Sequence, residues 1–244
     1  MPVRKQSGSL SSRKSPDVAA NGAARLSDRA YEVLRRMIIE LALEPGRRIS
    51  EPELSDALGH SKASVRAALL RLSQERLLKP IARQGYEVSP LTIQDARNIF
   101  DLRLALEPSA AQQAAGRVRR EDFRAVEKAF MVGIQPSKPD SFAKMSSANK
   151  EFRLIIARAG GNERLVMIVS GLLDELERYL RISFLEQRSN KQMLANVRAL
   201  IDAMVRGDGI AAGEITRQQL TETADRVLAA LLSRKQILGQ PLAI

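Results

Sequence analysis

Between Ser50 and Glu75 two short helical patterns are separated by only Gly59-His60-Ser61, and this spacing restricts the fold more than any other stretch of the chain. Ser50 can cap a helix over residues 51–58, with Pro52 tolerable because it falls in the first turn. Gly59 supplies the conformation needed where the chain leaves that helix. Ser61 then caps a helix running from about Lys62 to Glu75, which buries Val65, Leu69 and Leu72. A serine cap at that point directs the first residues of the later helix outward. Ser61, Lys62, Ser64 and Arg66 occupy those positions.

The flanks complete a module. Upstream, Ser27 can cap a helix whose apolar stripe is Ala30, Val33, Leu34, Met37, Ile38 and Leu41, and Pro45-Gly46 breaks it. Downstream, Leu77-Leu78 with Ile81, then Tyr86 with Val88, read as two short strands closed by a turn at Gly85, and Pro90 ends the pattern. Three helices and a two-stranded wing over residues 25–90 form a winged helix-turn-helix. In that motif the third helix enters the major groove of double-stranded DNA and its N-terminal side chains reach base edges. Lys62 or Arg66 can meet guanine O6 and N7, while Ser61 or Ser64 can bond phosphate or a base. Arg35, Arg36, Arg47, Arg48 and Arg71 suit neutralisation of the DNA backbone, or simple solvation.

Residues 1–24 are rich in Ser, Gly, Lys and Arg and read as a disordered basic tail. From Thr92 the pattern is helical almost to the end. Six amphipathic segments over residues 91–238 break at Gly116, Gly133 to Pro136, Gly160-Gly161, Ser189-Asn190 and Gly207 to Gly209. Short connections between such helices favour an all-α antiparallel bundle, so the chain as a whole is mainly α. The formal charge of +11 favours a polyanionic partner, but it is spread: residues 25–90 hold 12 basic against 9 acidic residues. No run approaches a membrane span, and the chain has no cysteine, so the expected location is cytoplasmic, on the nucleoid when DNA is bound. The single histidine, His60, lies in the helix-turn-helix, leaving the bundle without a thiol nucleophile or the commonest general base. No glycine-rich phosphate loop follows a strand. An enzyme is not expected.

The segment from Ile49 to Leu72 resembles the DNA-binding signature of GntR-type bacterial regulators, an E-x-x-L-A stretch followed by L-G-V-S-R-x-x-V-R-x-A-L-x-x-L. Lys62 stands in place of the usual arginine, Ala63-Ser64 in place of a common Thr-Pro, and His60 in place of valine. The resemblance makes Gly85 the wing glycine, with Arg83 and Gln84 beside it as minor-groove or phosphate contacts. Residues 90–107, 149–162 and 201–208 resemble the FCD domain that the FadR-type branch carries after its DNA-binding module. Dimerisation and effector binding in the bundle are what this implies.

Many FCD domains hold a divalent metal with one Asp and three His. The corresponding positions here are Asn149, Arg153, Val197 and Gln219, so the resemblance implies that neither metal nor another cofactor is bound. The family's ligand-contacting arginine corresponds to Arg103. Two guanidinium groups, Arg103 and Arg153, with two amides, Asn149 and Gln219, suit a carboxylate or phosphate effector held directly. Alternatively Arg153 turns outward or pairs with a bundle carboxylate such as Glu107. The functional expectation is a homodimeric, sequence-specific regulator on a palindromic operator. The alternative is a ligand-independent regulator whose bundle serves only dimerisation.

Overall fold

The helix that opens the described chain starts earlier than its expected cap. The computed structural model describes residues 16–133, 135, 138, 140–184 and 190–238. Helix α1 spans Pro16–Ile39 and runs through Ser27, which is therefore no cap, and residues 16–24 are helical rather than disordered. Ala19, Ala20, Ala23 and Ala24 are strong helix formers, and proline is tolerated in a first turn. The rest of the expected tail lies outside the described residues, as do parts of the breaks at Gly133 to Pro136 and Ser189-Asn190.

Strand β1 (Arg48–Ile49), helix α2 (Glu51–Leu58), helix α3 (Lys62–Gln74) and strands β2 (Leu78–Ile81) and β3 (Gly85–Val88) follow. Ser50 forms the full capping box on α2: its hydroxyl accepts from the Glu53 N–H, and the Glu53 carboxylate accepts from the Ser50 N–H. Gly59 closes α2 with φ 65°, the left-handed region where glycine carries no Cβ penalty. Ala30, Leu34 and Ile38 of α1 pack with Val65, Leu69 and Leu72 of α3, while Val33 stays exposed.

The wing is one strand larger than expected. β1 pairs antiparallel with β3 to give the order β1-β3-β2, with Arg48 opposite Glu87 and Ile49 opposite Tyr86. A two-residue strand has no room to display alternation, so Arg48 was readable only as charge. The turn at Pro45-Gly46 brings this strand in: Gly46 donates to the Val88 carbonyl at 2.8 Å, and Val88 donates to Arg47 at 2.9 Å.

Helices α4 (Ile93–Ala114), α5 (Arg124–Val132), α6 (Ser141–Ala159), α7 (Glu163–Phe184), α8 (Asn190–Val205) and α9 (Gly209–Leu238) form the bundle, with a 3-10 turn at Arg120–Phe123 leading into α5. α4 lies along α9, and α6 along α7. Phe152 is the centre of one buried core, meeting Phe123 and Phe130 edge-on at ring distances of 5.7 and 6.4 Å. The core of the N-terminal module continues into Leu172, Leu176 and Tyr179 of α7 and Val227 of α9. Module and bundle therefore share apolar surface. Among the described residues no helix is long and apolar enough to cross a membrane.

Candidate functional site

At the start of α3 the residues named from the sequence separate into an outer and an inner set. Ser61 is the N-cap, its hydroxyl accepting from the Ser64 N–H at 3.2 Å. Lys62 and Arg66 are exposed. Ser64 departs from expectation: it is only 7% exposed, and its hydroxyl sits 2.9 Å from that of Ser61. Its position, one turn before Ala68 on the buried face, turns it inward, so it supports Ser61 rather than reaching DNA. Arg66 is held by Glu51 of α2, with Nε 3.0 Å from both carboxylate oxygens and Nη2 2.9 Å from Oε2. Glu51 raises the Arg66 guanidinium above its ordinary range, first by hydrogen bonding and then by charge.

Arg83 and Gln84 stand exposed at the tip of the wing. Arg83 has φ 60°, which costs strain for a non-glycine residue and fixes the turn. Gln84 accepts from Arg48 Nη1 at 3.0 Å, so β1 and the wing tip are tied together. A Cβ on Gly85 would lie 2.4 Å from the Ile49 carbonyl oxygen, and its φ is 94°. Glycine is required there for the close approach of β1.

The four expected effector residues, by contrast, come together. Arg103 of α4, Asn149 and Arg153 of α6 and Gln219 of α9 line one cavity of about 100 Å³, together with Val197 of α8 and Leu180, Ser183 and Phe184 of α7. Arg103 is 2% exposed and engages Glu107, one turn along α4, through Nε at 2.5 Å and Nη2 at 3.2 Å. That pairing uses the guanidinium that was expected to grip an effector. Arg153 is 8% exposed and points inward; Nη2 donates to Gln219 Oε1 at 3.0 Å, and Gln219 Nε2 donates to the Asn196 carbonyl at 2.7 Å. Glu107 lies 3.7 Å from Arg153 Nε, beyond a hydrogen bond. Arg153 Nε and Nη1 have no hydrogen-bond partner among the described residues.

Two guanidinium groups against one carboxylate leave the inner wall of the cavity with one cationic charge in excess. Burial pulls Arg153 down to about 10, Glu107 opposing the shift and Arg103 reinforcing it, so it is still a cation at neutral pH. A divalent metal does not fit here. At the four positions an amide, a guanidinium, an isopropyl group and a second amide offer no imidazole or carboxylate donor. The single carboxylate on the described lining, Glu222, accepts from Asn196 and Gln218, and Arg153 repels a cation. Among the described residues no group of three or more His, Cys, Asp or Glu side chains comes together.

Sequence reasoning missed Asn196, Thr223 and Arg226, which also line the cavity. Thr223 and Arg226 follow Gln219 by one and two turns of α9, so helical spacing from that one residue would have found them. Asn196 accepts from Gln219 through its carbonyl, and its side chain bonds Gln192 and Glu222, which also line the cavity. The expected alternative in which Arg153 pairs with Glu107 is present as a 3.7 Å ion pair, and the closer bond from Arg103 to the same carboxylate was not foreseen.

Comparison with known proteins gives matches over both parts of the chain. The model for bacterial regulatory proteins of the gntR family matches residues 26–95, and that for the FCD domain matches residues 98–222. The HTH-type transcriptional repressor RspR of Escherichia coli is 22% identical over 85% of this chain and 91% of its own length. An uncharacterized HTH-type transcriptional regulator of Bacillus subtilis, YdhC, is 32% identical, but the match covers 40% of this chain and 44% of YdhC. Among solved structures, a putative GntR transcriptional regulator from Rhodococcus superposes with a TM-score of 0.66 at 22% identity, over 84% of this chain and 98% of that one. Escherichia coli McbR/YncC does so at 0.64 and 22%, over 86% and 98%. At that identity these two structures establish the fold.

Proposed function

This chain belongs to the gntR family of bacterial regulatory proteins and carries an FCD domain, and from that premise of a DNA-binding transcriptional regulator we propose a metal-independent sensor of a small anion. The observation that carries the reading is Arg153, a buried cation with two unpartnered N–H groups on the wall of a cavity. Glu107 at 3.7 Å is shared with Arg103, so it compensates this buried charge only in part, and an anion in the cavity offsets the remaining cost. A carboxylate or phosphate meets Arg153, with Asn149 and Gln219 orienting it. Arg103, which lines the same cavity, also fixes Glu107.

The DNA contacts proposed are Lys62 and Arg66 in the major groove, Ser61 at the helix start, and Arg83 with Gln84 at the wing. Two such modules on a homodimer would read a palindromic operator, since two-fold protein symmetry is mirrored in the site. Leu102 on α4 and Met167 and Ile168 on α7 are half or more exposed and supply apolar surface for pairing. Action is expected in the cytoplasm, on the nucleoid.

The test is titration calorimetry with small organic acids and phosphorylated metabolites in EDTA, followed by operator binding with the acid that binds. Binding that survives EDTA and falls with Arg153→Gln is the expected result. Binding abolished by EDTA and restored by zinc or manganese overturns the metal-free reading. If no anion alters operator affinity, the bundle serves dimerisation alone.

A further inference from the structure

Over two turns of α7, the polar side chains from Asp174 to Arg178 pair with the N-terminal module, Asp174 also with the bundle, and Tyr179 pairs with the first turn of α4, just after the module ends. Arg35 of α1 lies 2.5 Å from Glu177 and 3.6 Å from Asp174, which also holds Lys150 of α6 at 2.7 Å. Arg76 lies 3.6 Å from Glu175. Arg178 Nη1 donates to the Ser89 carbonyl at 2.7 Å, and the Tyr179 hydroxyl donates to Asp95 at 2.8 Å. The next residues of the same helix, Leu180, Ser183 and Phe184, line the bundle cavity.

These contacts are unequal. The Arg76–Glu175 and Arg35–Asp174 pairs are long and partly exposed, and such pairs hold little. Arg178 is 4% exposed, and its acceptor is main chain. Ser89 is itself fused to the winged module: its N–H donates to Leu77 O at 3.0 Å, and its hydroxyl to Arg76 O at 2.7 Å. Whatever moves Arg178 therefore moves the root of the wing. Asp95, the acceptor for Tyr179, lies in the first turn of α4, whose next turns carry Arg103 to the cavity. Adjacent residues of α7 thus tie its cavity wall directly to the module, through Arg178, and to the start of α4, through Tyr179.

We propose that Arg178 and Tyr179 form the clamp through which the state of the bundle cavity sets the DNA affinity of the winged module. The proposal rests on the reading of that cavity as the regulatory site. Coupling of this kind needs an element with two arrangements that both sites bias. The clamp qualifies because its bonds are short and directional, so a small displacement of α7 breaks them. Arg178 and Tyr179 are positioning residues and touch neither DNA nor effector.

The experiment is a double-mutant cycle on the full chain, with a duplex selected from random sequence by the unmodified protein. The cavity is perturbed from within, so no effector need be known. Val197→Phe fills it, and Gln219→Met removes the acceptor of Arg153 at nearly constant volume. Each is made in the unmodified background and in Arg178→Met/Tyr179→Phe. The expected result is a change in operator Kd of at least about fivefold in the first background and less than about twofold in the second. Hydrogen exchange should rise over residues 89–95 with the clamp substitutions. Equal fold-changes in both backgrounds overturn the clamp and leave the cavity as the regulatory site. No change from either cavity variant in the unmodified background overturns the regulatory reading of the cavity, and the clamp with it. Tyr179→Phe alone, which deletes one hydroxyl, repeats the cycle on a nearly unaltered fold, and a partial loss of the cavity effect is expected there.

Discussion

Arg66 on the recognition helix and Arg103 in the bundle are each gripped through two guanidinium nitrogens by one glutamate, Glu51 and Glu107 respectively. Arg66 is open to solvent, so its partner is exchangeable, and a phosphate or a guanine edge can replace Glu51. Arg103 is sealed, so Glu107 is a fixed part of the architecture, and it also faces Arg153. The same pair of residue types thus stands on an open surface, where a partner can be exchanged, and in an interior, where it cannot. Burial, rather than residue identity, separates recognition from scaffold.

The largest effect should come from breaking the interior pair. Glu107→Gln leaves two buried guanidinium groups without a counter-charge and should destabilise the protein by about 3–5 kcal/mol. Urea unfolding followed by far-ultraviolet dichroism measures it. A loss below about 1 kcal/mol would mean that water or an anion already compensates the two arginines.

The outer face should respond in binding rather than stability. Lys62→Ala should weaken operator binding by about 1–3 kcal/mol while leaving the melting temperature unchanged. Arg83→Ala should act evenly across DNA sequences and reduce the salt slope by about one. Fluorescence anisotropy at several salt concentrations distinguishes the two. An unaltered affinity for Lys62→Ala would displace the recognition surface from the start of α3.

The unequal legibility of the two regions follows from the same contrast. In the module the signals are local: Ser50, Gly59 and Ser61 each act within four residues, and α2 and α3 fall where those residues place them. β1 escaped because two residues cannot show a period, and the inward turn of Ser64 escaped because its partner is the cap itself. In the bundle the helix spans were readable from periodicity, and the resemblance brought Arg103, Asn149, Arg153 and Gln219 to one cavity. Which arginine is neutralised was not readable. Glu107 is one turn from Arg103 along α4, whereas its distance from Arg153 depends on how α4 and α6 pack.

A smaller effect tests whether the module is held by such local rules. Ser50→Ala removes the hydroxyl of the capping box and should cost about 1 kcal/mol, with no change in the bundle. Hydrogen exchange over residues 51–58 should rise while exchange in α6 stays constant. Equal loosening of both regions would mean that module and bundle unfold as one unit.

The smallest change in stability, and the sharpest test of the opening comparison, belongs to Glu51→Gln. Arg66 itself is open to solvent and gains little from a surface pair of this kind, so the melting temperature should stay within experimental error. Operator affinity should rise, because the substitution removes both a competing acceptor and a negative charge beside the phosphates. The gain should be smaller than the loss at Lys62 and should shrink with added salt, since the repulsion it relieves is screened. A fall in affinity would reverse the interpretation: Glu51 would then be holding Arg66 in the geometry that reads the base, and the outer pair would be as much a fixed part as the inner one. Arg66→Lys separates the two cases, since lysine keeps the charge and loses the fork. If Glu51 only competes, the gain from Glu51→Gln persists in the Arg66→Lys background. If it positions the guanidinium, the two substitutions together cost no more than Arg66→Lys alone.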